Sequence, residues 1–299
     1  MVTPLAGRDQ LDVPGLERLL ERVIAGGVQG VFLLGTTGEA PSLTERLKRE
    51  LVSQATAIVN HRIKVLVGIT DTSLVDSIEL AGFAAAERAD AIVAAPPPYF
   101  PIHQADLRAY IEALAADCEL PLFLYNMPSH SKVAFDVDTV RQLLHHPRIA
   151  GLKDSSGNML YFNQIVQLAQ ERPSFHVFIG PEELLAESVL VGGRGGICGG
   201  ANLYPELYVE LYNAAAAGDL ATIHKLQHRV LRLASKLYSV GDPPSGYLTG
   251  LKCALECVGV CSGRLAEPLR SLSAEKSASI KQHLLDLGLL DRQMTAVRA

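Results

Sequence analysis

Short apolar runs alternate along this chain with longer stretches whose apolar residues recur at helical spacing. The runs fall at Val31–Leu34, Val65–Ile69, Ala91–Ala94, Pro121–Leu124, Ile149–Leu152, Phe175–Ile179 and Gly195–Cys198. Between them, Leu43–Val59, Val75–Glu87, Ala105–Asp117 and Leu160–Gln170 carry apolar positions three and four residues apart, the period of a helix that buries one face. Alternation of this kind predicts an α/β protein with a parallel sheet, because parallel strands need long crossover connections. Seven strands are visible, and Val2-Thr3-Pro4 reads as the stub of an eighth; eight such units predict closure into a (β/α)8 TIM barrel. After Asn202 the pattern is helical only: Pro205–Ala217, Leu220–Ser239, Ser245–Val258 and Ser273–Leu287. These read as the last barrel helix and a C-terminal helical extension, which divides the chain into a barrel at 1–218 and an all-helical part at 219–299. Gly241-Asp242-Pro243-Pro244 predicts a loop inside that extension.

Composition narrows the class. At 299 residues, one barrel with additions is commoner than two domains, and 48% hydrophobic with 20% charged residues fits a globular chain. A net charge of −5 with no basic block gives no nucleic-acid footprint. No apolar run reaches the roughly 18 residues of a membrane span, and Met-Val-Thr-Pro-Leu lacks the regions of a signal peptide, so the expected location is the cytoplasm. Five cysteines, an odd number, predict reduced thiols rather than a disulfide framework. Cys253, Cys257 and Cys261 recur every fourth position and read as packing residues on one helix face. His224 and His228 share that spacing but lack the intervening glutamate of a zinc hydrolase helix. No metal is expected.

The candidate chemistry begins at Lys153, in Gly151-Leu152-Lys153-Asp154-Ser155-Ser156-Gly157. A lysine ending a buried strand loses hydration, which disfavours its charged form. A neutral amine attacks ketones and an ammonium does not. Alone, such a lysine is read more simply as pointing into solvent. Three other segments accompany it. Gly35-Thr36-Thr37-Gly38-Glu39, Pro97-Pro98-Tyr99-Phe100 and Tyr125-Asn126-Met127-Pro128 each follow an apolar run, and a barrel gathers such segments at one rim. Strand alternation puts Gly151 and Lys153 on one face and Leu152 on the other, so the absent Gly151 side chain predicts space beside the amine.

GTTGE, YNMP, GLKDSSG and GGICGGAN, in this order and spacing, resemble the dihydrodipicolinate synthase/N-acetylneuraminate lyase family of pyruvate-dependent class I aldolases, from about Val2 to the C-terminal helices. The resemblance implies a covalent Schiff base between Lys153 and pyruvate, with no other cofactor. It makes Tyr125 the proton carrier. A phenol with an ordinary pKa of about 10 is a poor base, and the resemblance assigns a hydroxyl relay to Thr36 and to a neighbouring subunit's tyrosine, matched here by Tyr99. It thereby implies a homotetramer built as a dimer of dimers. Thr37 and the amides beside Gly35 and Gly38 suit the substrate carboxylate, because glycine permits close backbone approach. Ile197, Ser155, Gly180, Glu183 and His130 are the remaining positions implied to bind substrate. The family's first strand is longer at its N-terminal end than the stub here, which predicts poor pairing.

Gly192–Gly200 has the glycine content of a phosphate cradle, but its one basic residue, Arg194, precedes the strand. A tight strand whose backbone approaches the imine is the better reading. The family often has serine where this chain has Cys198. Substrate identity turns on two further departures. The synthase branch carries an arginine shortly after its YNxP motif, gripping aspartate semialdehyde's carboxylate; this chain continues Ser129-His130, and histidine lacks the bidentate fork. Gly180-Pro181-Glu182-Glu183 stands where the sialic acid lyase branch has an acidic pair that meets substrate hydroxyls, although proline and acids also suit an ordinary helix start. Sugar-acid and 4-hydroxy-2-oxoglutarate aldolases share the framework, and Cys198 resembles the latter. The expectation is a lyase that reversibly cleaves a 4-hydroxy-2-oxo acid, sugar-acid or sialic-acid-like, to pyruvate and an aldehyde. Alternatives are a dihydrodipicolinate synthase condensing pyruvate with aspartate semialdehyde and, outside enzymes, a sensor that binds 2-oxo acids without turnover. The joint presence of Lys153, Tyr125, Thr36 and Tyr99 speaks against the sensor.

Overall fold

The structure, a computed structural model, describes residues 1–243 and 245–290. A hairpin of β1 (Leu5–Gly7) and β2 (Gln10–Leu11) leads into α1 (Val13–Ala25). Asp12 caps that helix by accepting from Gly15 N at 2.9 Å, and Leu16, Leu19, Leu20 and Val23 form its buried stripe. Neither hairpin nor α1 is among the elements anticipated above, although the stripe is legible in the sequence. Strand and helix then alternate: β3 (Gly30–Leu33), α2 (Glu45–Val59), β4 (Lys64–Gly68), α3 (Leu74–Ala86), β5 (Ala91–Ala94), α4 (Gln104–Asp117) and β6 (Leu122–Asn126). Two short helices, α5 (Pro128–Ser131) and α6 (Val137–Leu143), precede β7 (Ile149–Asp154) and α7 (Met159–Ala169). The series continues through β8 (His176–Ile179), α8 (Leu185–Leu190), the two-residue β9 (Gly195–Gly196) and α9 (Pro205–Ala217). Three helices follow: α10 (Leu220–Leu237), α11 (Gly246–Cys257) and α12 (Ala274–Asp286).

Strands β3 to β9 form one parallel sheet of seven strands in chain order. Val31, Leu33, Val65, Val67, Ile92, Leu122, Leu124, Leu152, Val177 and Ile179 point to the helices and join the main core. Phe32, Val93, Tyr125, Leu66, Phe123 and Ile197 form a second cluster on the sheet's inner face. The curled sheet thus buries both faces, as parallel sheets must.

Three expectations need correction. Val2-Thr3-Pro4 is not a strand. The Met1 amine donates to Phe32 O of β3 at 2.6 Å and Val2 N to Asn202 Oδ1 at 3.0 Å, so the segment lies between the sheet's two edges. No ladder forms because Thr3 O accepts from Lys252 Nζ at 2.8 Å and Pro4 has no N–H. The last run ends as a strand at Gly196 rather than Cys198, since the chain turns at once into a short 3-10 segment, Gly200–Asn202. Cys261 lies beyond the end of α11 and so does not share its face with Cys253 and Cys257. Pro244 of the expected loop, and residues 291–299 of the expected extension, lie outside the described residues.

Candidate active site

Lys153 sits near the C-terminal end of β7, 7% exposed, in register with Tyr125 on β6 and Phe178 on β8. Its Nζ lies 4.3 Å from the ring centre of Tyr125 and 5.0 Å from that of Phe32, and these two rings meet edge to face at 5.8 Å. The amine therefore projects from the inner face into an aromatic enclosure rather than into solvent. The space expected at Gly151 does not exist. A Cβ there would come 2.1 Å from His176 O and 2.7 Å from the Phe123 ring, so glycine is required by the close approach of β8.

After β3 the backbone turns sharply, with Leu34 at φ 57° and bonds from Gly38 N to Gly35 O and from Glu39 N to Thr36 O, both 3.0 Å. Gly35 has no room for a side chain against the Phe32 ring. This turn brings Thr36 Oγ1 to 3.1 Å from Tyr125 Oη, with Lys153 on the far side of the phenol ring. Burial pushes the Tyr125 phenol up, but the Lys153 charge, with hydrogen bonding from Thr36, Ser155 and Lys153, outweighs it and holds the pKa below its ordinary value. Lys153, Tyr125 and Thr36, far apart in the chain, are thus contiguous. Thr37 faces elsewhere: its Oγ1 lies 2.8 Å from the Oη of Tyr247 on α11.

Behind these groups, Asn126 donates to Asp154 Oδ1 at 2.8 Å, tying the last residues of β6 and β7 together, while Ser156 N and Oγ donate to the same carboxylate at 3.0 Å. Ser155 N donates to Asn126 O, and a Cβ on Gly180 would strike Ser155 Oγ. Of the acidic pair, Glu182 is the buried member. It accepts from Gly200 N, Tyr208 Oη and Tyr238 Oη, each at 2.6 Å, which fastens α9 and α10 to the loops after β8 and β9. Glu183 is half-buried and its backbone carbonyl accepts from Gln227. Ile197 lies in the inner cluster near Lys153's aromatic partners. Burial, aided by the Glu182 charge, pushes the Cys198 thiol well above its ordinary range and keeps it neutral. His130 is exposed on α5, with its ring nitrogen 3.0 Å from Ser129 Oγ; partial desolvation and the Lys132 charge lower its pKa. Tyr99 is not brought to Tyr125. It is 86% exposed, at φ 85°, and stacks edge to face on Phe100.

A cavity of about 540 Å³ opens at the N-terminal ends of the strands and, apart from Ile197, contains none of the expected site side chains. Among the described residues, no helix is long and apolar enough to cross a membrane, and no group of three or more His, Cys, Asp or Glu is placed to hold a metal ion. Sequence reasoning assigned no role to Asn126 and Asp154, though both lie inside motifs it singled out. Tyr247 carried no local signal, being 210 residues from its partner.

Comparison with known proteins fits this geometry. The profile of the Dihydrodipicolinate synthetase family matches residues 1–286. A probable 2-dehydro-3-deoxy-D-pentonate aldolase of Escherichia coli is 33% identical over 92% of this chain and 90% of its own. The structure of dihydrodipicolinate synthase from Bacteroides thetaiotaomicron superposes with a TM-score of 0.93 at 46% identity, covering 96% of both chains. A prophage protein of the dihydrodipicolinic acid synthase family from E. coli, solved in complex with pyruvate, has a TM-score of 0.91 at 29% identity over 97% of both chains. Enzymes of this family join pyruvate to a lysine as a Schiff base and use no external cofactor. The chain belongs to the Dihydrodipicolinate synthetase family and is a lyase of the class I pyruvate aldolase type.

Proposed function

We propose that this protein reversibly cleaves a 4-hydroxy-2-oxo acid, of sugar-acid or sialic-acid-like type, to pyruvate and an aldehyde through an imine on Lys153. The observation that carries the reading is the Lys153–Tyr125–Thr36 cluster, with the amine beside the phenol and the phenol 3.1 Å from the threonine hydroxyl. Lys153 attacks C2 of the oxo acid and water departs, leaving an iminium. Tyr125 takes the proton of the C4 hydroxyl, the C3–C4 bond breaks into the iminium, and the aldehyde leaves. The resulting enamine is protonated at C3 and water releases pyruvate from the lysine. Thr37 and the turn amides around Gly35 and Gly38 hold the carboxylate, and Ile197, Ser155, Gly180, Glu183 and His130 line the remaining substrate positions. Tyr99, exposed on a left-handed residue, completes the relay of a neighbouring subunit in a dimer-of-dimers tetramer, and the N-terminal segment between β3 and β9 closes a barrel over 1–218. The region 219–299 forms the helical extension. Five free cysteines favour a cytoplasmic setting.

A second reading, condensation of pyruvate with aspartate semialdehyde, draws support from the 46% identical structure named as the synthase. The exposed, weakly basic His130 weighs against it, because a semialdehyde bearing its own carboxylate needs a fixed cation. A panel of aldehydes with pyruvate, followed by formation of new carbon–carbon bonds, separates the two. Sugar-derived aldehydes are expected to be used well and aspartate semialdehyde poorly, with His130→Arg improving the latter. Efficient use of the semialdehyde by the unaltered protein would overturn the aldolase reading in favour of the synthase.

A further inference from the structure

We infer that Tyr247 of α11 is a positioning residue that presets the Thr37 hydroxyl as a hydrogen-bond donor to the carboxylate of the 2-oxo acid; this deepens the proposed function and rests on its pyruvate site. A threonine hydroxyl has one proton and two lone pairs. Which partner donates across the 2.8 Å contact decides what Thr37 offers to substrate. Burial pushes the Tyr247 phenol above its ordinary pKa, so it stays protonated and able to donate. With Tyr247 donating, Thr37 Oγ1 is the acceptor and its own proton is left for a further oxygen. The nearby carbonyls of Gly35 and Thr36 already accept from Gly38 N and Glu39 N within the turn. A donor chain from phenol to hydroxyl to carboxylate is also cooperative, each bond polarising the next.

The surroundings hold Tyr247 to this task. Its ring meets Tyr238 edge on at 5.9 Å, and Tyr238 Oη donates to the buried Glu182 at 2.6 Å. A Cβ on Gly199 would lie 3.8 Å from the Tyr247 ring, which places that ring beside the loop after β9. The same helix grips the turn a second time. Lys252 Nζ donates to Glu39 Oε1 at 2.5 Å, two residues beyond Thr37, and Ala266 N, past the end of the helix, donates to Glu39 Oε2 at 2.6 Å. Helix α11 therefore clamps the loop that carries both threonines, and Tyr247 is the point of the clamp that reaches the hydroxyl assigned to the carboxylate.

The test is cyanoborohydride trapping on Lys153 in the full chain, with two carbonyl compounds: pyruvate, and butane-2,3-dione, which forms the same imine without a carboxylate. Tyr247→Phe should raise the pyruvate concentration for half-maximal labelling about five- to tenfold, the effect of losing one hydrogen bond, and leave the diketone curve in place. Thr37→Val should do the same, Thr37→Ser should not, and adding Tyr247→Phe to Thr37→Val should cost little more. Equal shifts for both compounds would make Tyr247 a structural support and overturn the inference, as would no shift, or full additivity in the double variant. Absence of labelling on Lys153 in the unaltered protein would overturn the pyruvate reading itself, a failure distinct from that of Tyr247.

Discussion

At the scale of single residues, Tyr125 holds the cluster together, because it touches both the amine and the hydroxyl that the proposed chemistry uses. Its phenol is buried, yet Lys153 and Thr36 keep its pKa below the ordinary value. Tyr125→Phe should still form the imine but lose about two to four orders of magnitude in turnover, the usual effect of a general acid–base group. The pH profile checks the same assignment. As the base that takes the C4 hydroxyl proton, the phenol acts once deprotonated, so as pH rises through the lowered pKa the rate of cleavage should rise, earlier than an isolated phenol would dictate. The residual rate of Tyr125→Phe should lack that limb. Near-normal turnover in this variant would move the proton to another residue.

At the scale of elements, the short buried strands did most to make the fold legible. Ala91–Ala94 and Pro205–Ala217 have the bounds their patterns predict, because continuous apolar runs and helical periodicity are local signals. The cluster of Lys153, Tyr125 and Thr36 was legible because its members lie at or just past strand ends. What the sequence could not show is pairing across hundreds of residues: Tyr247 with Thr37, Glu182 with Tyr238, and Lys252 with Glu39. Nor could it show that Gly151 is demanded by the backbone of β8 rather than by open space beside the lysine. The Lys252–Glu39 pair is fully buried and joins α11 to the turn after β3. Lys252→Met leaves the Glu39 carboxylate buried without its cation and should cost about 3–5 kcal/mol of stability. Glu39→Gln with Lys252→Met should recover much of that loss in a denaturant titration. A double variant as unstable as the summed singles would show that the pair is not coupled.

At the scale of the whole molecule, the fold brings motifs from β3, β6 and β7 to one end, while Tyr99, the remaining member of the expected relay, stays on the surface. A lone subunit would then lack a catalytic hydroxyl, and dissociation should cost activity before it costs fold. Tyr99→Phe and Lys153→Ala, each inactive alone, should regain a fraction of activity when refolded together, since a mixed dimer pairs an intact Lys153 with a donated Tyr99. No recovery, with mixed assembly confirmed by native mass spectrometry, would place Tyr99 outside a shared site. The central claim is that Lys153 forms the imine with pyruvate, and borohydride reduction in the presence of pyruvate, followed by peptide mass spectrometry, tests it most directly. A single adduct on Lys153 is expected, lost in Lys153→Ala and retained in Lys132→Ala; labelling that survives Lys153→Ala would contradict the account.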